Sequence, residues 1–156
     1  MKLHDIMVQE VVTVGPGETT ASAARKMREQ SVGCLVVTIE KTVKGIVTDR
    51  DLLGCLSEAH DPNRCQIAAH MTRPVIVERP QEEMVCAAEI MAERRIKRLP
   101  VVERGTLVGL VSFSDIARIM DEQAQAYGSM WSSMTRLIRA QSRRHCNGKR
   151  TAAAAS

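Results

Sequence analysis

The chain repeats itself. GIVTDRD (residues 45–51) and GLVSFSD (109–115) share a Gly, an apolar residue, Val, a hydroxyl residue, two variable positions and Asp. An ungapped offset of 64 residues carries Met7 onto Met71, Val11 onto Val75, Pro16 onto Pro80 and Glu18 onto Glu82. It also carries Ala23, Ala24 and Met27 onto Ala87, Ala88 and Met91, and Leu35 onto Leu99. A tandem repeat restricts the fold to two copies of one structural unit.

Within the first copy, VVTV (11–14) predicts a strand stopped by Gly15-Pro16-Gly17, and ASAARKMREQ (21–30) predicts a helix. The β-branched runs 34–39 and 43–48, joined by a short polar link, predict a hairpin, and DLLGCL (51–56) a second helix. The second copy follows the same order: VIV (75–77) as a strand, a helix from about Gln81 to Arg94, then LPVVE, a turn at 103–106, TLVGLVS and SDIARIM. Each unit is therefore β-α-β-β-α, and the class is α+β. Three strands with two helices cannot cover both faces of their own sheet, whereas two packed units can.

Composition narrows the function classes. Hydrophobic residues make up 44% of the 156 residues but aromatics only 2%, so Val, Ile, Leu, Met and Ala must build the core. No apolar run has the length of a membrane span, and MKLHDIM lacks a signal-peptide core; a cytoplasmic location is expected. Cys34, Cys55, Cys65, Cys86 and Cys146 show no C-x-x-C spacing and read as buried or incidental thiols rather than a zinc site. His4, His60, His70 and His145 are dispersed, so neither metal ligands nor catalytic residues are expected. The net charge of +4 comes from arginines and lysines after residue 135, which argues against nucleic acid as a partner of the repeats.

The repeated motif has two readings. In the structural one, Thr48 or Ser112 caps a helix N-terminus and Asp51 or Asp115, three residues on, completes the cap. In the functional one, the helix N-terminus attracts phosphate and the carboxylate accepts the vicinal hydroxyls of a ribose. Gly45 and Gly109 fit either a close backbone approach or strand curvature.

With its paired β-α-β-β-α units, G-h-V-[S/T]-x-x-D endings and the segment RRIKRLPVVERGTLVGLVSFSDI, the chain resembles a pair of CBS domains over residues 4–120. The resemblance implies units at 4–60 and 68–122, packed with pseudo-twofold symmetry around two clefts that take adenosine-containing ligands: AMP, ADP, ATP, S-adenosylmethionine or a dinucleotide. It places Asp51 and Asp115 on ribose hydroxyls, and Thr48 and Ser112 beside ribose and phosphate. Val12, Val32, Ile46, Ile76, Ile96 and Leu110 fall on adenine-pocket positions, with Asp115 sharing its cleft with Val12 and Val32, and Asp51 with Ile76 and Ile96. Lys97 and Arg98 match a phosphate-binding basic pair, or else a solvated charge cluster with Arg94 and Arg95. Gly33 and Cys34 replace that pair in the first unit, and Asp49 adds an acid there, so the clefts are not equivalent.

Residues 123–145 are expected to form an amphipathic helix through Tyr127, Met130, Trp131, Met134, Leu137 and Ile138, with a flexible tail at 146–156. The helix suits packing on the paired units or against another subunit, or docking to a partner protein or, through its arginines, to an anionic surface. The expected function is regulatory binding of an adenosine ligand, with no cofactor and no catalysis. The alternatives are a structural or oligomerisation module with vestigial sites, and docking of a partner or nucleic acid through the basic C-terminal helix. A homodimer is expected through the helical faces of Ala21, Ala24, Met27, Val85, Ala88 and Met91, and of Leu52, Leu53, Leu56, Ile116, Ile119 and Met120.

Overall fold

Thr19 begins the first helix by accepting a hydrogen bond from the Ser22 N–H at 3.2 Å, and α1 runs Thr20–Glu29. The computed structural model describes residues 1–127. The first unit comprises β1 (Thr13–Val14), α1, β2 (Cys34–Ile39), β3 (Thr42–Thr48) and α2 (Asp49–Ser57). β1 is parallel and β3 antiparallel to β2, giving the order β1-β2-β3. The second comprises α3 (Met84–Arg94), β4 (Arg98–Glu103), β5 (Thr106–Ser112) and α4 (Phe113–Tyr127), with β4 and β5 antiparallel.

The strand expected at 75–77 does not form. Its counterpart β1 is held partly by the Val36 N–H donating to the Val12 carbonyl at 3.3 Å. The residue equivalent to Val36 is Pro100, which has no N–H to give. What remains is an isolated parallel bridge, Glu78 to Val101, with Glu78 N–H on the Pro100 carbonyl at 3.1 Å and Val102 N–H on the Glu78 carbonyl at 2.8 Å.

The repeat extends to backbone detail. Both hairpins slip register at matching positions, Val37/Thr38 and Val101/Val102. Left-handed residues also match: Ser31 with Arg95, Glu40 with Arg104, and Lys41 with Gly105. Glu40-Lys41 and Arg104-Gly105 are two-residue hairpin turns with both central residues at positive φ, the form whose twist suits antiparallel strands.

The two units exchange their leading segments. Residues 1–8 pack on the second unit: Leu3 N–H donates to the Glu82 carbonyl at 2.9 Å, and Val8 and Leu110 exchange N–H···O bonds of 2.9 Å. Residues 65–72 pack on the first: Ile67 N–H donates to the Glu18 carbonyl at 2.9 Å, and Thr72 and Ile46 exchange bonds of 2.8 and 3.2 Å. Leu3 is fully buried among Met84, Met91, Leu99, Val111 and Ile116, and Ile67 among Val14, Met27, Leu35 and Val47. A third apolar cluster, with Val36, Val43, Ile46, Val75, Leu107 and Leu110, joins the two units.

Gly45 and Gly109 serve this exchange. A Cβ on Gly45 would lie 2.5 Å from Met71 Sδ, and one on Gly109 would lie 2.7 Å from Met7 Cγ. Each glycine makes room for a methionine of the exchanged segment.

Of the helical faces expected to be in surplus, Met27, Met91, Ile116 and Ile119 are buried in the cores. Leu53 and Leu56 remain 63% and 58% exposed on α2. They line a groove of about 640 Å³ between α1 and α2 with Ala21, Ala24 and Met27. The helix expected at 123–145 is described only to Tyr127, where it continues α4; its remainder and the 146–156 tail lie outside the described residues. No helix among the described residues is long and apolar enough to cross a membrane.

Candidate functional site

Each repeat ends its hairpin in the same small construction. At the start of α2, Asp51 Oδ2 accepts from the Thr48 N–H and the Thr48 hydroxyl, both at 2.7 Å, while the Asp51 N–H points back at Thr48 Oγ1 at 3.4 Å. At the start of α4, Asp115 Oδ2 accepts from the Ser112 N–H at 3.0 Å and from the Ser112 hydroxyl, and the Asp115 N–H donates to Ser112 Oγ at 3.2 Å. These are capping boxes, as the structural reading of the motif requires. Both boxes engage Oδ2; among the described residues no hydrogen bond goes to either Oδ1. All four residues are half-buried.

The six apolar positions fall into three pairs by the core each packs on. Val12 and Val32 pack on the first unit's core, Ile76 and Ile96 on the second's, and Ile46 and Leu110 join the cluster between the units. All six are half-buried, although full burial is the norm for aliphatic residues next to a core.

Charges from both units meet at Cys34. Lys97 is exposed and its carbonyl accepts the Phe113 N–H at 3.0 Å, as the Gly33 carbonyl accepts the Asp49 N–H at 3.2 Å. Arg98, the repeat mate of Cys34, reaches across to it. Burial pushes the Cys34 thiol pKa up, the Arg98 guanidinium beside it pulls it back, and Asp49 adds to the rise. Cys34 is the register partner of Thr48, so Arg98 places its charge beside the first box although it belongs to the second unit. Phe113 occupies, in the second unit, the place of Asp49 in the first.

One constellation was not legible as a site. Cys55, His60, Cys65 and His70, read as scattered thiols and dispersed histidines with no metal role, converge: one ligand atom from each lies within 4.8 Å of the others. Cys65 Sγ is 2.9 Å from His70 Nε2 and 3.7 Å from His60 Nδ1. The chain folds back on itself here because the connector after α2 is tied to the start of α1, with Thr20 N–H on the Cys65 carbonyl at 2.9 Å and Ala21 N–H on that of Pro62 at 3.0 Å. The available signal was the even spacing, C-x4-H-x4-C-x4-H, which matches none of the familiar short metal motifs. Desolvation first, then Cys55 and the Glu58 charge, push the Cys65 thiol pKa up, which favours the thiol over the thiolate while no cation is present.

The comparisons agree with this architecture. The family model described as "CBS domain" matches residues 3–58 and 66–122. The CBS domain-containing protein YhcV of Bacillus subtilis is 32% identical over 116 residues, covering 74% of this chain and 82% of that protein. The crystal structure of Hypoxic Response Protein I with two coordinated zinc ions superposes with a TM-score of 0.69 at 32% identity, over 76% of this chain and 98% of that one. The CBS domain pair of protein MJ0100, solved in complex with 5′-methylthioadenosine and S-adenosyl-L-methionine, gives a TM-score of 0.72 at 25% identity over 79% and 98%. Two matched repeats that together span most of the chain, in the exchanged arrangement just described, make it a member of the CBS domain family carrying a tandem pair of CBS domains.

Proposed function

We propose that this CBS pair is a regulatory module that binds an adenosine-containing ligand in clefts between its units and passes that state to a partner surface. The observation that carries the reading is that Asp51 and Asp115 hold their boxes through Oδ2 alone, while Val12, Val32, Ile46, Ile76, Ile96 and Leu110 are each only half-buried. Half-buried aliphatic walls suit a purine face, and a carboxylate at a helix N-terminus suits ribose hydroxyls with phosphate alongside. Lys97 and Arg98 supply the positive charge that a phosphate needs. The MJ0100 pair with its two adenosine compounds supports the ligand class. No enzymatic activity is proposed, and no cofactor beyond the regulatory ligand.

A second reading is that the boxes only cap helices and the pair is an oligomerisation module. The groove carrying the exposed Leu53 and Leu56 favours it in part, and we assign that groove to a second copy of the chain, as a homodimer.

Calorimetry with AMP, ATP, S-adenosylmethionine and NADH separates the two readings. The wild type should bind at least one of them. Asp115→Asn, which keeps an acceptor for the cap but loses the charge, should weaken binding by about 1–3 kcal/mol. Asp51→Asn should cost less, because Asp49 already burdens the first box with a like charge. Replacing Lys97 and Arg98 with Ala should cost ATP more than adenosine. No binding by the wild type, or equal affinity across all variants, would leave only the capping role.

A further inference from the structure

The convergence of Cys55, His60, Cys65 and His70 is independent of the nucleotide clefts. We infer that these four side chains form a closed, tetrahedral Zn²⁺ site that clamps the connector between the two repeats. Two thiolates and two imidazoles are the donor set that a d¹⁰ dication of borderline softness takes in structural sites. Two thiolates also neutralise its charge, and four protein ligands leave no position open for chemistry.

The four ligand atoms, all within 4.8 Å of one another, must draw in at the widest pairs and open at the tightest to reach a tetrahedral site. Zinc–sulfur bonds of about 2.3 Å and zinc–nitrogen bonds of about 2.0–2.1 Å, at tetrahedral angles, separate S and N ligands by about 3.6 Å. The Cys65–His60 distance of 3.7 Å already matches this. The Cys65–His70 distance of 2.9 Å must open by roughly 0.7 Å. His60 Nδ1 also lies 3.4 Å from Glu58 Oε2, a contact between half-exposed side chains that the metal would replace at little cost.

The setting supports a clamp. Cys55 is fully buried on the last turn of α2, and its Sγ lies 3.4 Å from the hydroxyl of the buried Thr20. His60 and Cys65 stand on the connector, and His70 closes the 3-10 turn Ile67–Ala69. The ligands thus come from the end of the first repeat, from the link, and from the exchanged segment that leads into the second. Residues 59–65 fall between the two family matches, so repeat packing alone does not account for two ligands there. The clamp would fix Pro62, which lines the α1/α2 groove.

The test uses the full chain, reduced and stripped of metal, titrated with Co²⁺ and then Zn²⁺. One Co²⁺ per chain should appear with the ligand-field bands of tetrahedral cobalt and a thiolate-to-cobalt charge-transfer band. Zn²⁺ should erase both and raise the thermal midpoint. His60→Ala and Cys65→Ser should each weaken Co²⁺ binding by more than about 100-fold, beyond the 10–100-fold typical of losing an outer-shell partner. His4→Ala should change nothing. His60 is exposed, so the metal-free His60→Ala chain should melt with the metal-free wild type, which excludes misfolding as the cause. No tetrahedral cobalt spectrum in the wild type, or unchanged affinity in His60→Ala and Cys65→Ser, would overturn the assignment.

Discussion

Glu78 stands where the first repeat has Val14, a buried core residue. The lost strand at 75–77 leaves Glu78 half-buried, held by its backbone to Pro100 and Val102. Burial chiefly, then the charge of Glu82, raises its carboxyl pKa above the ordinary 4.5, against the opposing pull of the Arg79 N–H and charge. A raised folded-state pKa means that the ionised side chain costs stability at neutral pH. That cost disappears as pH falls through the folded value toward the unfolded one. Glu78→Gln should therefore raise the thermal midpoint at pH 7, with the gain fading toward pH 4.5 and below. A gain that persists unchanged in acid would point to packing instead of charge.

At the scale of elements, the two hairpins are the same turn built from different residues. Both central positions are left-handed in each: Glu40 and Lys41 at φ 49° and 66°, Arg104 and Gly105 at 51° and 82°. Only the second turn has glycine where the conformation favours it. A left-handed L-residue costs roughly 1–2 kcal/mol, and glycine's extra freedom in the unfolded chain takes back roughly 0.5–1 kcal/mol. Lys41→Gly should stabilise the protein by about 0.5–1 kcal/mol, read as a higher urea midpoint with an unchanged slope. The Leu107 N–H to Lys41 carbonyl bond of 2.9 Å joins the units through the backbone and survives the substitution. Local sequence showed this hairpin only as a polar link, because Glu and Lys carry no turn signal. In the second repeat Arg104-Gly105 announced the turn.

At the scale of the whole molecule, the exchanged segments make the N-terminus part of the second unit. Leu3→Ala should cost about 2–5 kcal/mol, as for a fully buried core leucine, despite its place three residues from the chain start. Hydrogen exchange should locate the loss in α3 and β4, not in the first unit. Ile67→Ala should do the reverse, exposing α1 and β2. The groove between α1 and α2 belongs to this scale too. Leu53 and Leu56 are too exposed for core residues, and a second copy set against them would cover both. Light scattering across a dilution series should give a dimer mass at tens of micromolar, and Leu53→Glu with Leu56→Glu should give the monomer. A monomeric wild type would assign that face to another partner.

The repeat, the α+β class, the order of the helices and hairpins and the Thr48–Asp51 and Ser112–Asp115 boxes follow from local sequence. Helix caps, alternating strands and turns depend on residues a few positions apart, and an offset of 64 needs only identity to be seen. Three features come from tertiary structure alone. The strand at 75–77 fails because Pro100, some two dozen residues on, withholds one N–H. Gly45 and Gly109 make room for Met71 and Met7, which arrive from the other repeat. Cys55, His60, Cys65 and His70 meet because the connector is stitched by its backbone to the start of α1, far back along the chain. Each depends on which distant group lies opposite. Periodicity and propensity carry no record of that, because it is decided only when segments distant in sequence pack together.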